Sequence, residues 1–104
     1  PINQNTPLYD LGVKITSIKK TAYSLNENIQ INISSNNDTQ IEQVDFFINN
    51  EFLGSTTKTP FTYSFIPRNI DNIQNSNEIK VVVYDKNRQR FEAKTILLVD
   101  ESIN

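Results

Sequence analysis

A chain of 104 residues has room for one domain built around one hydrophobic core. Its formal net charge of -2 supplies no basic field, which excludes nucleic acid and anionic membrane surfaces as expected partners. The chain has neither Cys nor His, so disulfides, thiolate sites and the commonest acid–base group and metal ligand at neutral pH are excluded as well.

Hydrophobic residues make up 37% of the chain, enough for a folded core, and no apolar run is long enough to cross a membrane. Asn occurs 15 times and Ile 14 times against 2 Gly, a bias that we attribute mostly to AT-rich coding. No signal peptide is recognisable and the first residue is Pro, so we expect the chain to be a piece of a longer protein. The lack of Cys fits a bacterial exterior as well as a cytosol, since thiols outside cells are oxidised.

The chain opens with a polar segment, residues 1–11, that contains two prolines and is predicted to be a lead-in or linker. Structure is expected to begin right after it, where Val13 and Ile15 alternate with polar residues in a short first strand. A polar connection follows. Tyr23 and Leu25 interrupt it and are expected to close one end of the core.

The clearest alternation comes next, with Ile29, Ile31 and Ile33 on one face of a strand whose apolar side must point inward. The Asn- and Asp-rich segment that follows is predicted to be a turn, because the short side chains of these residues form hydrogen bonds with their own backbone. Ile41 is expected to cap the core before a central strand over residues 43–49.

The central strand presents one set of residues inward and another outward. The inward residues are Val44, Phe46 and Ile48, and the outward residues are Asp45 and Phe47. Asn49 and Asn50 then turn the chain, since Asn tolerates positive φ better than any residue except Gly. After a polar run, Pro60 opens a further strand with three alternating aromatic residues, Phe61, Tyr63 and Phe65.

Residues 67–77 are predicted to be a long loop that tucks Ile70 and Ile73 against the sheet. A β-branched strand over residues 78–85 is predicted to be central. One of its faces carries Ile79, Val81 and Val83, and the other carries Val82 and Tyr84.

The last strand, over residues 90–99, changes the phase of its apolar residues part-way along, which predicts a β-bulge. Residues 100–104 are predicted to be an exit linker. The chain thus holds about seven short strands and no convincing helix. This pattern predicts an all-β domain over residues 12–99, an immunoglobulin-like sandwich of antiparallel strands in two sheets.

Four segments in the middle of the chain also carry a family resemblance: Val44-Asp45-Phe46-Phe47-Ile48-Asn49-Asn50, Leu53-Gly54, Thr59-Pro60-Phe61 and Tyr63-Ser64-Phe65. In order and spacing they resemble the central signature of bacterial immunoglobulin-like domains, which usually reads Val-x-Phe-Tyr-Val-Asn-Gly, then Leu-Gly, then Pro-Tyr-Ser-Phe. The likeness extends over residues 12–99. It departs from the pattern at Asn50 and around Arg88, where the family uses Gly, and in the long 67–77 connection.

The resemblance implies an accessory module of secreted or wall-associated multidomain proteins such as adhesins, glycan-active enzymes and cell-wall synthases. It brings no catalytic residue and no cofactor. We therefore expect a non-catalytic spacer or presentation domain outside the bacterial cell, monomeric by itself, whose partners are neighbouring domains of the same polypeptide. The alternative is an adhesive module that binds a carbohydrate or a protein of the cell wall or of a host.

Candidate chemistry is sparse. Glycoside hydrolysis needs two carboxylates across a cleft. Asp45 is the only acid within a predicted central strand and is expected to face solvent, so catalysis is not expected. Asp38, Glu42, Asp85 and Asn87 sit at predicted turns and offer oxygen ligands for calcium. No dense Asp-x-Asp-x-Asp loop accompanies them, so no metal site is predicted.

Two covalent modifications are also not expected. A Lys–Asn cross-link needs partners on the first and last strands, and Lys14 on the first strand has no Asn opposite it before Asn104. The glycosylation sequons at Asn32 and Asn37 are attributed to chance in so Asn-rich a chain.

Exposed aromatic residues remain as candidates for binding, because a flat ring covers the apolar face of a pyranose. Phe47, Tyr63 and Tyr84 would qualify if they point outward. In a sandwich of this size most aromatic rings belong to the core, and the chain has no Trp. The sequence therefore favours the spacer over the binding module.

Overall fold

Alternating apolar and polar residues build two antiparallel sheets in the computed structural model, which describes residues 10–103. Seven strands lie within those residues: β1 (Lys14–Ile15), β2 (Ile29–Ser34), β3 (Ile41–Ile48), β4 (Glu51–Thr56), β5 (Thr62–Phe65), β6 (Ser76–Asp85) and β7 (Arg90–Leu98). One sheet has the strand order β1-β2-β5 and the other β4-β3-β6-β7. The predicted two-sheet, all-β sandwich is confirmed.

The core lies between the two sheets and is made by the inward faces of β2, β3 and β6. Nine of its side chains, including Leu97 of β7, are at most 1% exposed: Leu11, Ile31, Val44, Phe46, Ile48, Ile79, Val81, Val83 and Leu97. Ile33, at the end of β2, is partly buried against them. Strand β6 pairs with β3 on one side and β7 on the other, so the predicted central position of this strand is correct.

The β3–β4 hairpin turns at Asn49 and Asn50, whose φ values of 50° and 68° are both positive, as the sequence predicts. Strand β3 begins at Ile41, earlier than predicted, so Ile41 belongs to the strand that it was expected to precede. The pairing of β4 shifts by one residue between Phe46 and Phe47, which leaves Leu53 as the extra residue of a bulge. Leu53 is partly buried against the core.

The predicted bulge in the last strand is wrong. Strand β7 pairs with β6 in unbroken register, from Ser76 opposite Leu98 to Tyr84 opposite Arg90. The apparent change of phase arises because Ile96 and Leu98, although apolar, lie on the outward face and are 55% and 45% exposed. The inward face keeps one phase throughout and carries Phe91, Ala93, Thr95 and Leu97.

The 67–77 connection begins with a single 3-10 turn, Pro67–Asn69, and packs Ile70 and Ile73 against the core, as predicted. A second 3-10 turn, Asp38–Gln40, joins β2 to β3. No helix within residues 10–103 has the length and hydropathy needed to span a bilayer.

The described chain enters and leaves the sandwich at opposite ends. Near its start, the Leu11 carbonyl accepts a hydrogen bond from Asn36 N at 2.6 Å, and Asn87 of the β6–β7 turn lines the same groove. Near its end, Asp100 lines a groove with Asn75, which immediately precedes β6. The ten residues of β6 therefore separate entry from exit by roughly 30 Å.

The predicted lead-in, residues 1–11, lies mostly outside the described residues, and so does Asn104 at the end of the predicted exit linker. Leu11 itself is 1% exposed and packs in the core. The exit segment forms a turn in which Ile103 N donates to Asp100 O at 3.2 Å.

Candidate binding surface

The outward face of the four-stranded sheet brings two aromatic rings and two lysines into one row across the strands. Register places Phe52 of β4 opposite Phe47 of β3, Phe47 opposite Lys80 of β6, and Lys80 opposite Lys94 of β7. We call these four residues the aromatic–lysine row. Successive strands lie about 4.8 Å apart, so the backbone positions of the row span roughly 14 Å.

Contacts along the row hold its rings in place. The Phe47 and Phe52 rings meet edge to face, with centroids 5.7 Å apart and an angle of 68° between their planes. Lys80 Nζ lies 4.9 Å from the centroid of the Phe47 ring, a cation–π contact. Phe47 is partly buried by its neighbours, whereas Phe52 is 59% exposed.

Of the other two predicted aromatic candidates, Tyr84 shares this face and Tyr63 does not. Tyr84 lies on β6 four residues beyond Lys80 and is partly buried, so it stands about 13 Å along the strand from the row. The Tyr63 ring packs between the sheets, stacked on Phe46 with centroids 5.5 Å apart. Its hydroxyl donates to Leu53 O at 3.1 Å.

Sequence reasoning missed Phe52 as a surface aromatic. A signal was available, because a two-residue turn at Asn49 and Asn50 places Ile48 opposite Glu51 and therefore Phe47 opposite Phe52. The two rings then share the outward face of neighbouring strands.

Asp45 lies one row away on the same face, partly buried, and accepts a hydrogen bond from Gln43 Nε2 at 2.8 Å. On the edge strand, Arg90 and Glu92 form an ion pair at 2.9 Å. Lys94 makes two longer contacts, at 3.7 Å to Glu92 and 3.9 Å to a Glu of β6. These exposed pairs are worth at most about 1 kcal/mol each, and they leave the face with mixed charge.

Two of the four turn residues weighed as calcium ligands, Asp85 and Asp38, accept hydrogen bonds from other groups. Asp85 is fully buried, and its Oδ1 accepts backbone N–H groups from Asn87 at 2.9 Å and Gln89 at 2.7 Å, which shapes the β6–β7 turn. Asp38 accepts from the Ser35 hydroxyl at 2.5 Å. Among residues 10–103 no three or more His, Cys, Asp or Glu side chains are grouped so as to hold a metal ion.

A shallow groove of about 620 Å³ lies at the other sheet, beside Pro60. It is lined by amide, hydroxyl and apolar side chains together with Asp38, among them Gln30, Asn32 and Phe61. No second carboxylate is among its lining residues, so the groove lacks the acid pair that glycoside hydrolysis requires.

Among residues 10–103, two carboxylates have lowered pKa values, and both act in local structure. Lys20 Nζ lies 2.6 Å from Glu27 Oε2, and this hydrogen bond, aided by Ser24 N, lowers the pKa of Glu27. The hydroxyl and backbone N–H of Ser102 lower the pKa of Asp100 in the same way. Neither group faces the aromatic–lysine row.

Comparison with known proteins agrees with this geometry. The model of the family described as "Bacterial Ig domain" matches residues 12–83. No curated protein sequence matches the chain. A fibronectin(III)-like module structure from Clostridium thermocellum CbhA is similar at 24% identity and a TM-score of 0.67, over 86% of this chain and 96% of that one.

Two further solved structures share the fold. The spore cortex lytic enzyme SleM of Clostridium perfringens is 15% identical with a TM-score of 0.60, over 82% of this chain but 27% of the enzyme. The superoxide reductase (neelaredoxin) of Ignicoccus hospitalis is 13% identical with a TM-score of 0.65, over 89% of this chain and 83% of that one. At such identities the likeness concerns the fold alone. The family match, which covers more than half of the chain, shows that this protein belongs to the bacterial Ig domain family.

Proposed function

We propose that the chain is a rigid, non-catalytic module that spaces or orients the neighbouring domains of an extracellular bacterial polypeptide. The observation that carries this proposal is the position of entry and exit at opposite ends of the sandwich, on either side of the ten-residue strand β6. A module connected in this way separates the two domains that it joins by the distance between its entry and its exit.

The benefit of folding lies in a fixed distance rather than in a greater one. The structure measures 54 × 26 × 22 Å. A flexible Gly/Ser chain of 104 residues has a root-mean-square end-to-end distance of roughly 50–60 Å, close to the long dimension of the folded module. The flexible chain samples a broad distribution around that value, whereas a sandwich closed by a continuous core holds one distance.

The setting is supported by the relatives. Ig-like and fibronectin(III)-like domains are generally non-catalytic accessory modules and are common in extracellular proteins. The similar region of the spore cortex lytic enzyme is about a quarter of that chain, so the same fold serves there as one part of a larger protein. Neighbouring domains of the same polypeptide are accordingly the proposed partners, and the isolated chain is proposed to be monomeric.

The test places the chain between a donor and an acceptor fluorescent protein and compares it with a Gly/Ser linker of equal residue number. Time-resolved energy transfer then gives the distribution of distances. The proposal expects a distribution several times narrower for the folded module than for the Gly/Ser linker. Equal widths would show that the module does not fix the spacing and would overturn the proposal.

A further inference from the structure

We propose that the aromatic–lysine row binds an acidic saccharide, specifically a short oligosaccharide in which one pyranose bears a carboxylate. One sugar ring would lie on Phe52, and the carboxylate of another unit would be held by Lys80 and Lys94. This site is additional to the spacer function, and the two stand or fall on different measurements.

The aromatic end of the row is suited to stacking. Phe52 is 59% exposed, the largest exposed fraction among the large hydrophobic side chains of residues 10–103. Phe47 packs against this ring edge to face, and Phe47 is itself covered by Lys80. A ring that is both exposed and held on strands offers an apolar surface to the C–H face of a pyranose with little loss of side-chain entropy.

The lysine end of the row selects the charge of the ligand. Lys80 and Lys94 are directly opposite each other in the β6–β7 register, an arrangement in which like charges repel. None of the ion pairs among residues 10–103 includes Lys80, and the nearest carboxylate oxygens to Lys94 Nζ are 3.7 and 3.9 Å away. A ligand carboxylate would give Lys80 an ion-pair partner and would compete at Lys94 with these longer contacts, whereas a cationic ligand would be repelled by both lysines.

Neighbouring acids limit what the row accepts. Asp45 and Glu92 lie in the next row across the sheet, and Glu78 lies on the other side of Lys80. A densely charged polyanion would bring negative charge against these residues. A single carboxylate directed at the two lysines would not, and the ligand hydroxyls would face Asp45 and Gln43, whose side chains already form a hydrogen-bonded pair.

Distance sets the size of the ligand. Phe52 and Lys94 are three strand spacings apart, roughly 14 Å, which is longer than one pyranose. A short oligosaccharide lying across the strands therefore covers the row, with one ring on Phe52 and the carboxylate-bearing unit over β6.

The proposal is tested by titrating the isotopically labelled chain with four probes and following its amide NMR signals. The probes form two matched pairs, each with a single carboxylate in its acidic member: xylotriose that carries one 4-O-methylglucuronate with plain xylotriose, and sialyllactose with lactose. The first pair asks whether a uronate is bound and the second whether a sialate is bound. Saturable shifts confined to Phe47, Phe52, Lys80, Lys94 and their strand neighbours are expected for the acid of at least one pair, with affinity about tenfold above its neutral partner.

Three variants separate the parts of the site. Phe52→Ala is expected to weaken binding of the acidic probe about tenfold or more, and Lys80→Gln to remove the preference for the acid over the neutral probe. Ile96→Ala, which also shortens an exposed apolar side chain on this face, is the matched control and should leave binding unchanged. The amide spectrum of each variant reports whether it is folded.

Absence of saturable shifts with either acid would overturn the proposal, as would equal affinity within both pairs. Shifts of the unmodified chain that map to another face would overturn it as well, so the result does not depend on any variant. Each of these failures leaves the distance distribution of the spacer unaffected.

Discussion

Asn49 Nδ2 donates a hydrogen bond to Asn77 Oδ1 at 2.9 Å, across 28 residues of sequence. Asn49 is in the turn of the β3–β4 hairpin, and Asn77 is the second residue of β6. The bond thus fastens the hairpin to the end of the 67–77 connection. Asn77 is 1% exposed and Asn49 is partly buried, so this contact lies at the edge of the core.

Replacing Asn77 should be severely destabilising. Its Nδ2 also donates to Gln74 O at 2.7 Å and Leu97 O at 3.2 Å, and its Oδ1 accepts Gln74 N at 2.8 Å. Asn77→Ala leaves these backbone groups without their hydrogen-bond partner, and we expect a loss of about 2–4 kcal/mol in the free energy of unfolding. Urea denaturation measures it. Asn75→Ala, at an exposed neighbour, should change stability by less than about 0.5 kcal/mol, and similar losses in both variants would contradict this role.

Asn50 and Arg88 both have positive φ, and replacing Arg88 with Gly should stabilise the fold more than replacing Asn50. Their φ values are 68° and 64°, a region that costs an ordinary residue about 1–2 kcal/mol and Asn less. After the extra unfolded-state entropy of Gly, Arg88→Gly should raise stability by about 0.5–1 kcal/mol, and Asn50→Gly by less. Lys86→Gly, in the same turn without positive φ, should lower it. Equal effects at Arg88 and Lys86 in urea denaturation would refute the explanation.

Gly54 and Tyr63 form a close contact between β4 and β5. A Cβ added at Gly54 would lie 2.6 Å from Tyr63 Cε1, so the ring would have to leave its stack on Phe46 and its bond to Leu53 O. Gly54→Ala should therefore cost about 1–3 kcal/mol of unfolding free energy. Tyr63→Phe removes only the hydroxyl and should cost about 0.5–1.5 kcal/mol. If Gly54→Ala were neutral by thermal denaturation, the ring would not be confined as described.

The register of β7 predicts opposite outcomes at adjacent residues. Leu97 is fully buried and Ile96 is 55% exposed. Leu97→Ala should lose about 2–5 kcal/mol of stability, whereas Ile96→Ala should lose less than about 0.5 kcal/mol. Chemical denaturation of the two variants is sufficient. A larger loss at Ile96 would mean that the strand is shifted by one residue, as a bulge would require.

Acid should weaken the contact between Lys20 and Glu27. Because the folded pKa of Glu27 is lowered from 4.5, its contribution to stability is present above pH 4.5 and is lost as pH falls through the folded pKa. Lys20→Met should raise the pKa of Glu27, since it removes the first cause of the shift. NMR titration of the Glu27 side chain in both proteins measures this difference. An unchanged titration midpoint would show that Lys20 does not hold the carboxylate.

The sequence predicted those parts of the fold that rest on period-two alternation. Ile29 and Ile31 in β2 and Val81 in β6 are buried as expected. The turn at Asn49 and Asn50 also forms as expected. Alternation failed where apolar residues lie outside, at Ile96 and Leu98, because hydrophobicity alone does not say which of two phases faces the core. Pairing across the sheet decides it.

The roles of the Asn residues were the least visible in the sequence. We attributed their number to coding bias, yet Asn77 is buried and Asn49 bonds both to it and to Glu78 N. An Asn in a polar stretch has no periodic signal, and its burial follows from tertiary packing. The aromatic–lysine row was equally hidden, since Phe47 was noticed but its neighbours on the face come from three other strands.

The most direct test of the proposed spacer is the distance between its two ends. The chain contains no Cys, so Asp10→Cys and Glu101→Cys allow spin labels to be placed at exposed positions near entry and exit. Pulsed electron–electron double resonance then gives the distribution of distances between the two labels. We predict one narrow peak above the roughly 30 Å length of β6 and below 54 Å, unchanged when flanking domains are fused. A broad distribution spanning tens of ångströms, like that of a Gly/Ser chain, would contradict the account.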